Sequence, residues 1–157
     1  MIKFTVATTS PLSPHALCEQ IFDVSHWKSF AGYGPIPGIE NARVDNLSED
    51  KIGTRFHVKN TDESTHIETV IGFIPQKELV LRMDNFSNPL NLIASHFIEK
   101  WQFETERDQT KIERSFELYP LNFWGSIILK IISIFLKKAV RNHLELMSLI
   151  RHLQKRT

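Results

Sequence analysis

The sequence predicts an α+β domain in which a seven-stranded antiparallel sheet curves around one long C-terminal helix. Three observations predict it. Runs of alternating apolar and polar residues recur from Ile2 to Tyr119, separated by short polar turns. At Leu121 the period changes to that of a helix and holds to about Gln154, around 30 residues or ~45–50 Å at ~1.5 Å per residue. Such a sheet has one greasy face, and that long helix is the main element able to cover it.

The elements follow in order. "IKFTVAT" alternates and reads as the first strand. In "SPLSPHALCEQIFD", Ser13 is placed as an N-cap and Pro14 at the first helical position, so a short helix runs to about Asp23. "SHWKSF" adds one further turn. Five strand-like regions come next: "ENARVDNL", "GTRFHVKN", "THIETVIGFI", "ELVLRMDNF", and the hairpin "HFIEKWQFETE" with "KIERSFELY". Their connections, "SEDKIG", "NTDES", "IPQKE" and "ERDQT", are short and polar, as antiparallel neighbours require.

At 157 residues, with 41% apolar and 24% charged residues, the chain fits a single globular domain, 1–157. A lone cysteine, Cys18, excludes an internal disulfide and a cysteine zinc site, and it fits a reducing, cytoplasmic setting. "MIKFTVATTS" lacks the unbroken apolar core of a signal peptide. Lys130, Lys137 and Lys138 interrupt the best candidate for a membrane span. The net charge of +1 conceals an asymmetry: residues 1–120 balance at −5 and residues 121–157 at +6. The two parts attract each other, and the C-terminal part alone suits an anionic surface.

Alternation sorts the strand side chains. Phe97, Glu99, Trp101 and Phe103 share the core face, as do Ile112, Arg114, Phe116 and Leu118 on the next strand. Phe56 and Val58 point inward. Ile67, Thr69, Ile71 and Phe73 are expected inward, with His66 and Glu68 outward. Glu99 and Arg114 are then charges among apolar groups, and burying an isolated charge is prohibitively unfavourable. With a turn near Asp108–Gln109, Arg114 falls opposite Trp101 or Phe103, and Glu99 opposite Phe116 or Leu118. The two charges are expected to serve as a structural ion pair or as polar points of a cavity, unless the opposite face of these strands is the inward one. On the helix, Trp124, Ile128, Ile131, Phe135, Ala139, Asn142, Leu146, Leu149 and Leu153 form one stripe. Ser126, Lys130, Ser133, Lys137, Arg141, Ser148, Arg151 and Lys155 form the opposite, basic one. Between Ile127 and Val140 the apolar arc covers about two thirds of the circumference, wider than one sheet face normally buries.

"WKSFAGYGPIPGI", Trp27 to Ile39, has three glycines but not the spacing of a nucleotide loop. No lysine followed by Ser or Thr succeeds Gly38, and Pro35 and Pro37 remove backbone donors. Its stiff prolines and apolar Tyr33, Ile36 and Ile39 suit a lid or rim. The seven histidines form no i,i+4 pair and no H-E-x-x-H, so no metal site is expected. No nucleophile elbow occurs. The outer sheet face has mixed charge and no aromatic stacking platform, which argues against nucleic acid.

With these residues in place, the chain resembles the START/polyketide-cyclase-like (SRPBCC) superfamily, the helix-grip fold shared with birch-pollen allergens. "SPHALCEQIFDVSHWKSF" resembles its opening helix, "KIGTRFHV" its G-T/A-x-F strand, and "FIEKWQFETERDQTKIERSFEL" its penultimate hairpin, with the long helix last. The resemblance spans essentially the whole chain. It implies a cavity between sheet and terminal helix, with loops at the mouth, and specifies fold far better than function. The leading expectation is a binder of a hydrophobic small molecule or lipid without an obligatory cofactor. Phe56, Phe73, Trp101, Phe116, Trp124, Ile128 and Phe135 would line the cavity, Glu99, Arg114 and Asn142 would orient a polar head, and Tyr33 and Ile36 would close the entrance. A second expectation is a cyclase- or dehydratase-type enzyme with Glu99 as acid/base and Arg114 stabilising negative charge. A third is a membrane-surface or protein-interaction module using the helix start, Phe123 to Arg141.

Overall fold

A computed structural model describes the backbone of residues 1–154 and the side chains of residues 1–148. Strand β1 (Ile2–Ser10) leads into helix α1 (Pro14–Phe22) and a 3-10 helix, Val24–Ser29. Strands β2 (Ile39–Asn46), β3 (Arg55–Asn60), β4 (Thr65–Ile74) and β5 (Glu78–Asp84) follow. A short 3-10 turn, Leu90–Leu92, precedes β6 (Ala94–Glu106) and β7 (Gln109–Pro120), and helix α2 (Phe123–Gln154) is last. All seven strands form one antiparallel sheet in the order β1-β7-β6-β5-β4-β3-β2. The architecture is the expected one, with short helices bridging the two edge strands and α2 packed mainly over β1 and β7.

Local chemistry sets the boundaries. Ser13 Oγ accepts from the Ala16 N–H at 3.2 Å, and Pro14 occupies the first turn of α1. Asp23 caps the 3-10 helix by accepting from Ser25 N–H at 3.0 Å. Asn122 Oδ1 accepts from Gly125 N–H at 2.8 Å and so starts α2. Gly125 is pressed against the end of the 3-10 turn before β6: a Cβ there would lie 2.2 Å from the Ile93 carbonyl oxygen. The β6–β7 hairpin turns at Arg107 and Asp108, pairing Trp101 with Arg114 and Glu99 with Phe116.

Two face assignments differ from the sequence expectation. On β4 it is Glu68 and Val70 that are buried, while Ile71 is exposed. A register shift between Val70 and Gly72 places an extra residue in the strand, so the parity changes along it. His66 and Glu68 thus face inward before the shift, and Phe73 still reaches Phe22 after it, at 5.4 Å between ring centroids. On α2 the inward stripe is Gly125, Leu129, Leu136, Val140, Leu144 and Met147. That is about one residue of rotation from the predicted stripe, of which only Ala139 is buried. Trp124, Ile128, Ile131, Asn142 and Leu146 are exposed, and Leu149 and Leu153 fall outside the described side chains.

Candidate functional site

The apolar face of the sheet and α2 are in close contact around Leu129, Leu136, Ala139 and Val140, all in the continuous core. Nearer the C-terminal half of α2, the layers part. A cavity of about 330 Å³, partly open to solvent, lies between the sheet, the 3-10 helix and α2. Its walls include Ile21, Trp27, Phe30, Ile39, Leu81 and Met147, and its polar groups include Glu68, Glu99, Arg114 and His143.

The register of three strands assembles the polar cluster. Leu81 pairs with Glu99 across β5 and β6, and Arg114 on β7 stands diagonal to Glu99. At that spacing the long arginine side chain spans the gap, and Arg114 Nε donates directly to Glu99 Oε1. The guanidinium carbon lies 4.3 Å from the Trp101 ring centroid, 5.3 Å from Phe116 and 5.8 Å from Phe30, an aromatic cage for a cation. Nη1 donates to His143 Nδ1 at 3.0 Å. That bond fixes the tautomer: Nδ1 accepts, Nε2 carries the hydrogen, and Nε2 donates to Ser29 Oγ at 3.0 Å. Ser29 in turn donates to the His26 carbonyl at 2.7 Å, tying the cluster to the 3-10 helix.

Burial sets the charges. Loss of hydration pushes the Glu99 carboxyl up to about 7 against the opposing pull of Arg114, and the nearby charge of Glu68 adds to the rise. Burial and the adjacent Arg114 push His143 down to about 3, so it is neutral near pH 7. Glu68 is bound by His66 Nε2 at 3.0 Å. Trp101 Nε1 is close enough to stabilise the Glu99 carboxylate but makes no hydrogen bond of good geometry, leaving a buried donor at the cavity wall. Among the described residues, no group of three His, Cys, Asp or Glu side chains is placed to hold a metal ion.

Of the residues expected in the site, Glu99, Trp101 and Arg114 line the cavity. Phe56 and Phe116 are buried in the core behind it, and Phe73 packs against Phe22 at the α1 side. Trp124 and Ile128 are 69% and 39% exposed, and Asn142 also faces solvent, so all three stand outside the cavity; the rotation of α2 is the reason. Tyr33 and Ile36 bond to each other through their backbones in a tight turn, where Gly32 at φ 73° admits no side chain. Tyr33 leans on Phe135 at 6.3 Å, so this loop braces the middle of α2 and the rim is formed instead by Gln20 and Ser25 to Phe30. Sequence reasoning missed Glu68, His143 and Ser29. The glycine in "VIGF" was a usable signal for the first, because an isolated strand glycine often marks a bulge.

The sheet, its order and the terminal helix define a helix-grip fold of the kind the sequence resemblance implied. Solved structures with the same fold include Ara h 8.0201, with 15% identity over 90% of this chain and 96% of that one at a TM-score of 0.61. Ginseng major latex-like protein 151 from Panax ginseng has 13% identity, coverage of 94% and 97%, and a TM-score of 0.59. TTHA0849 from Thermus thermophilus has 12% identity, coverage of 92% of both chains and a TM-score of 0.68. At these identities the likeness is one of fold. The sequence itself matches no protein-family profile and no curated protein.

Proposed function

We propose that the protein binds a hydrophobic small molecule or lipid in the cavity between the sheet and α2, for carriage or sequestration. The supporting observation is the lining: mostly apolar walls that also include the Glu68, Glu99 and Arg114 side chains. Few polar groups in an apolar hollow are the usual construction of a ligand site, and about 330 Å³ is at the small end of the ~300–1,000 Å³ such sites occupy. Arg114 is already engaged by Glu99 and His143. A carboxylate head would share the cavity with Glu68 and Glu99, whereas a hydroxyl can donate to either of them. Apolar alcohols are the preferred class.

Native mass spectrometry of the protein incubated with an isoprenoid alcohol and with a fatty acid of similar length tests this. The expected result is a one-to-one complex with the alcohol and a weaker one with the acid. Persistently empty protein with both, and with lipid extracts, contradicts it.

A catalytic reading, of cyclase or dehydratase type, is favoured by one observation: Glu99 stands beside the cavity with its carboxyl pushed up to about 7, suited to proton transfer near neutrality. Against it, Glu99 and Arg114 touch, leaving no room for a substrate between them. Glu99→Gln distinguishes the two readings. It abolishes turnover of any substrate found if Glu99 moves a proton, and otherwise alters affinity alone.

A further inference from the structure

We propose that the N-terminal half of α2 docks on anionic lipid membrane, lying flat in the headgroup layer. Phe123 and Trp124 are 73% and 69% exposed, and Ile127, Ile131 and Ile134 continue the same outward face. Leu121 and Leu92 are also exposed and extend the patch beyond the helix. They are held beside it because Leu121 N–H donates to the Ile93 carbonyl at 2.9 Å and Asn122 Nδ2 to the Leu92 carbonyl at 3.2 Å. An apolar surface this continuous needs a partner.

Charge selects the partner. Lys130, Lys138 and Arg141 are exposed beside the apolar residues, and no acidic residue occurs from residue 85 to 95 or from 121 to 144. Aromatic residues at the tip, aliphatic ones along the face and lysines at the margin are the arrangement of an interfacial helix. No described helix is long and apolar enough to cross a membrane, so the contact is peripheral. A second copy of the chain fits less well. A twofold contact through this face would bring Lys130, Lys138 and Arg141 of both copies together against one acidic side chain each, Glu145. The patch is also separate from the cavity, whose α2 residues are His143 and Met147. From Ile134, the nearest apolar member of the patch, to His143 is about 13 Å along the helix at ~1.5 Å per residue.

The test is flotation of the full chain with vesicles of phosphatidylcholine alone and with one-third phosphatidylserine. The expected result is binding to the anionic vesicles only, weakened roughly tenfold or more when salt shortens the screening length from about 10 Å to a few Å. Lys130→Glu with Lys138→Glu, and separately Ile131→Ser with Ile134→Ser, each abolish it while thermal melting of the protein stays unchanged. Absence of binding to anionic vesicles overturns the proposal, as does binding that neither double variant weakens. A wild-type dimer that Ile131→Ser with Ile134→Ser dissociates, without vesicle binding, assigns the face to a second copy and also overturns it.

Discussion

Arg114 is the residue on which the site turns, because it joins Glu99, three aromatic rings and His143. Arg114→Met leaves Glu99 buried without its cation, a loss of about 3–5 kcal/mol. Since Arg114 is what holds the Glu99 carboxyl down, the loss is larger above pH 7 than at pH 5, where the carboxyl takes a proton. Urea unfolding at the two pH values measures it, and an equal loss at both contradicts the assignment. His143 titrates in the opposite sense. Its value near 3 in the folded chain, against an ordinary 6.5, means the unfolded chain binds the proton first. The stability from neutral His143 is full above 6.5 and is lost as pH falls toward 3. Glu99, raised from 4.5 to about 7, favours folding most below 4.5 and loses that benefit as pH rises through 7. The two slopes oppose each other in the overlap, so the wild-type curve alone conceals both. His143→Asn, compared with wild type, gains roughly 2–3 kcal/mol relative to it between pH 6.5 and 4.5; parallel curves would contradict the burial of a neutral imidazole. Glu99 and Arg114 were legible in the sequence because uninterrupted alternation fixes their face. His143 was not, because its place depends on the rotation of a helix.

Elements differ in how completely their sequence determines their placement. From Phe97 onward β6 alternates without interruption against β7, after one register shift between Ala94 and His96, and the two join as expected, down to the Trp101–Arg114 pair. Strand β4 does not, since one extra residue at Ile71 reverses which side chains face the core. Helix α2 is apolar around most of its first half, so periodicity leaves its rotation open. Tertiary packing settles it by seating Gly125, the smallest side chain, against Ile93. Two substitutions test that rotation by thermal melting. Leu129→Ala removes a fully buried side chain and costs about 2–5 kcal/mol, whereas Ile131→Ala, two positions on and exposed, stays within about 0.5 kcal/mol of wild type. The reverse order would return the helix to the phase its periodicity suggests. Gly125→Ala sharpens the point. Helix propensity alone favours alanine by about 1 kcal/mol, but the Ile93 carbonyl stands where the Cβ would go. The variant melts lower than wild type, and a higher melting temperature would show that α2 does not sit this close.

The whole molecule separates two surfaces that the sequence runs together. Periodicity predicts a single apolar stripe that both fills the grip and lines the hollow. Instead the first half of α2 divides its apolar residues between a solid core and solvent, and the hollow opens only beside the second half. The most direct measurement of that division is titration with the uncharged fluorophore N-phenyl-1-naphthylamine, which brightens in apolar surroundings, using two variants. Met147→Trp fills the cavity, and Ile131→Ser with Ile134→Ser blunts the exposed face. The account predicts one saturable site on the wild type that the surface variant retains and Met147→Trp loses. Enhancement that survives in Met147→Trp and disappears in the surface variant would mean that the hollow takes no ligand.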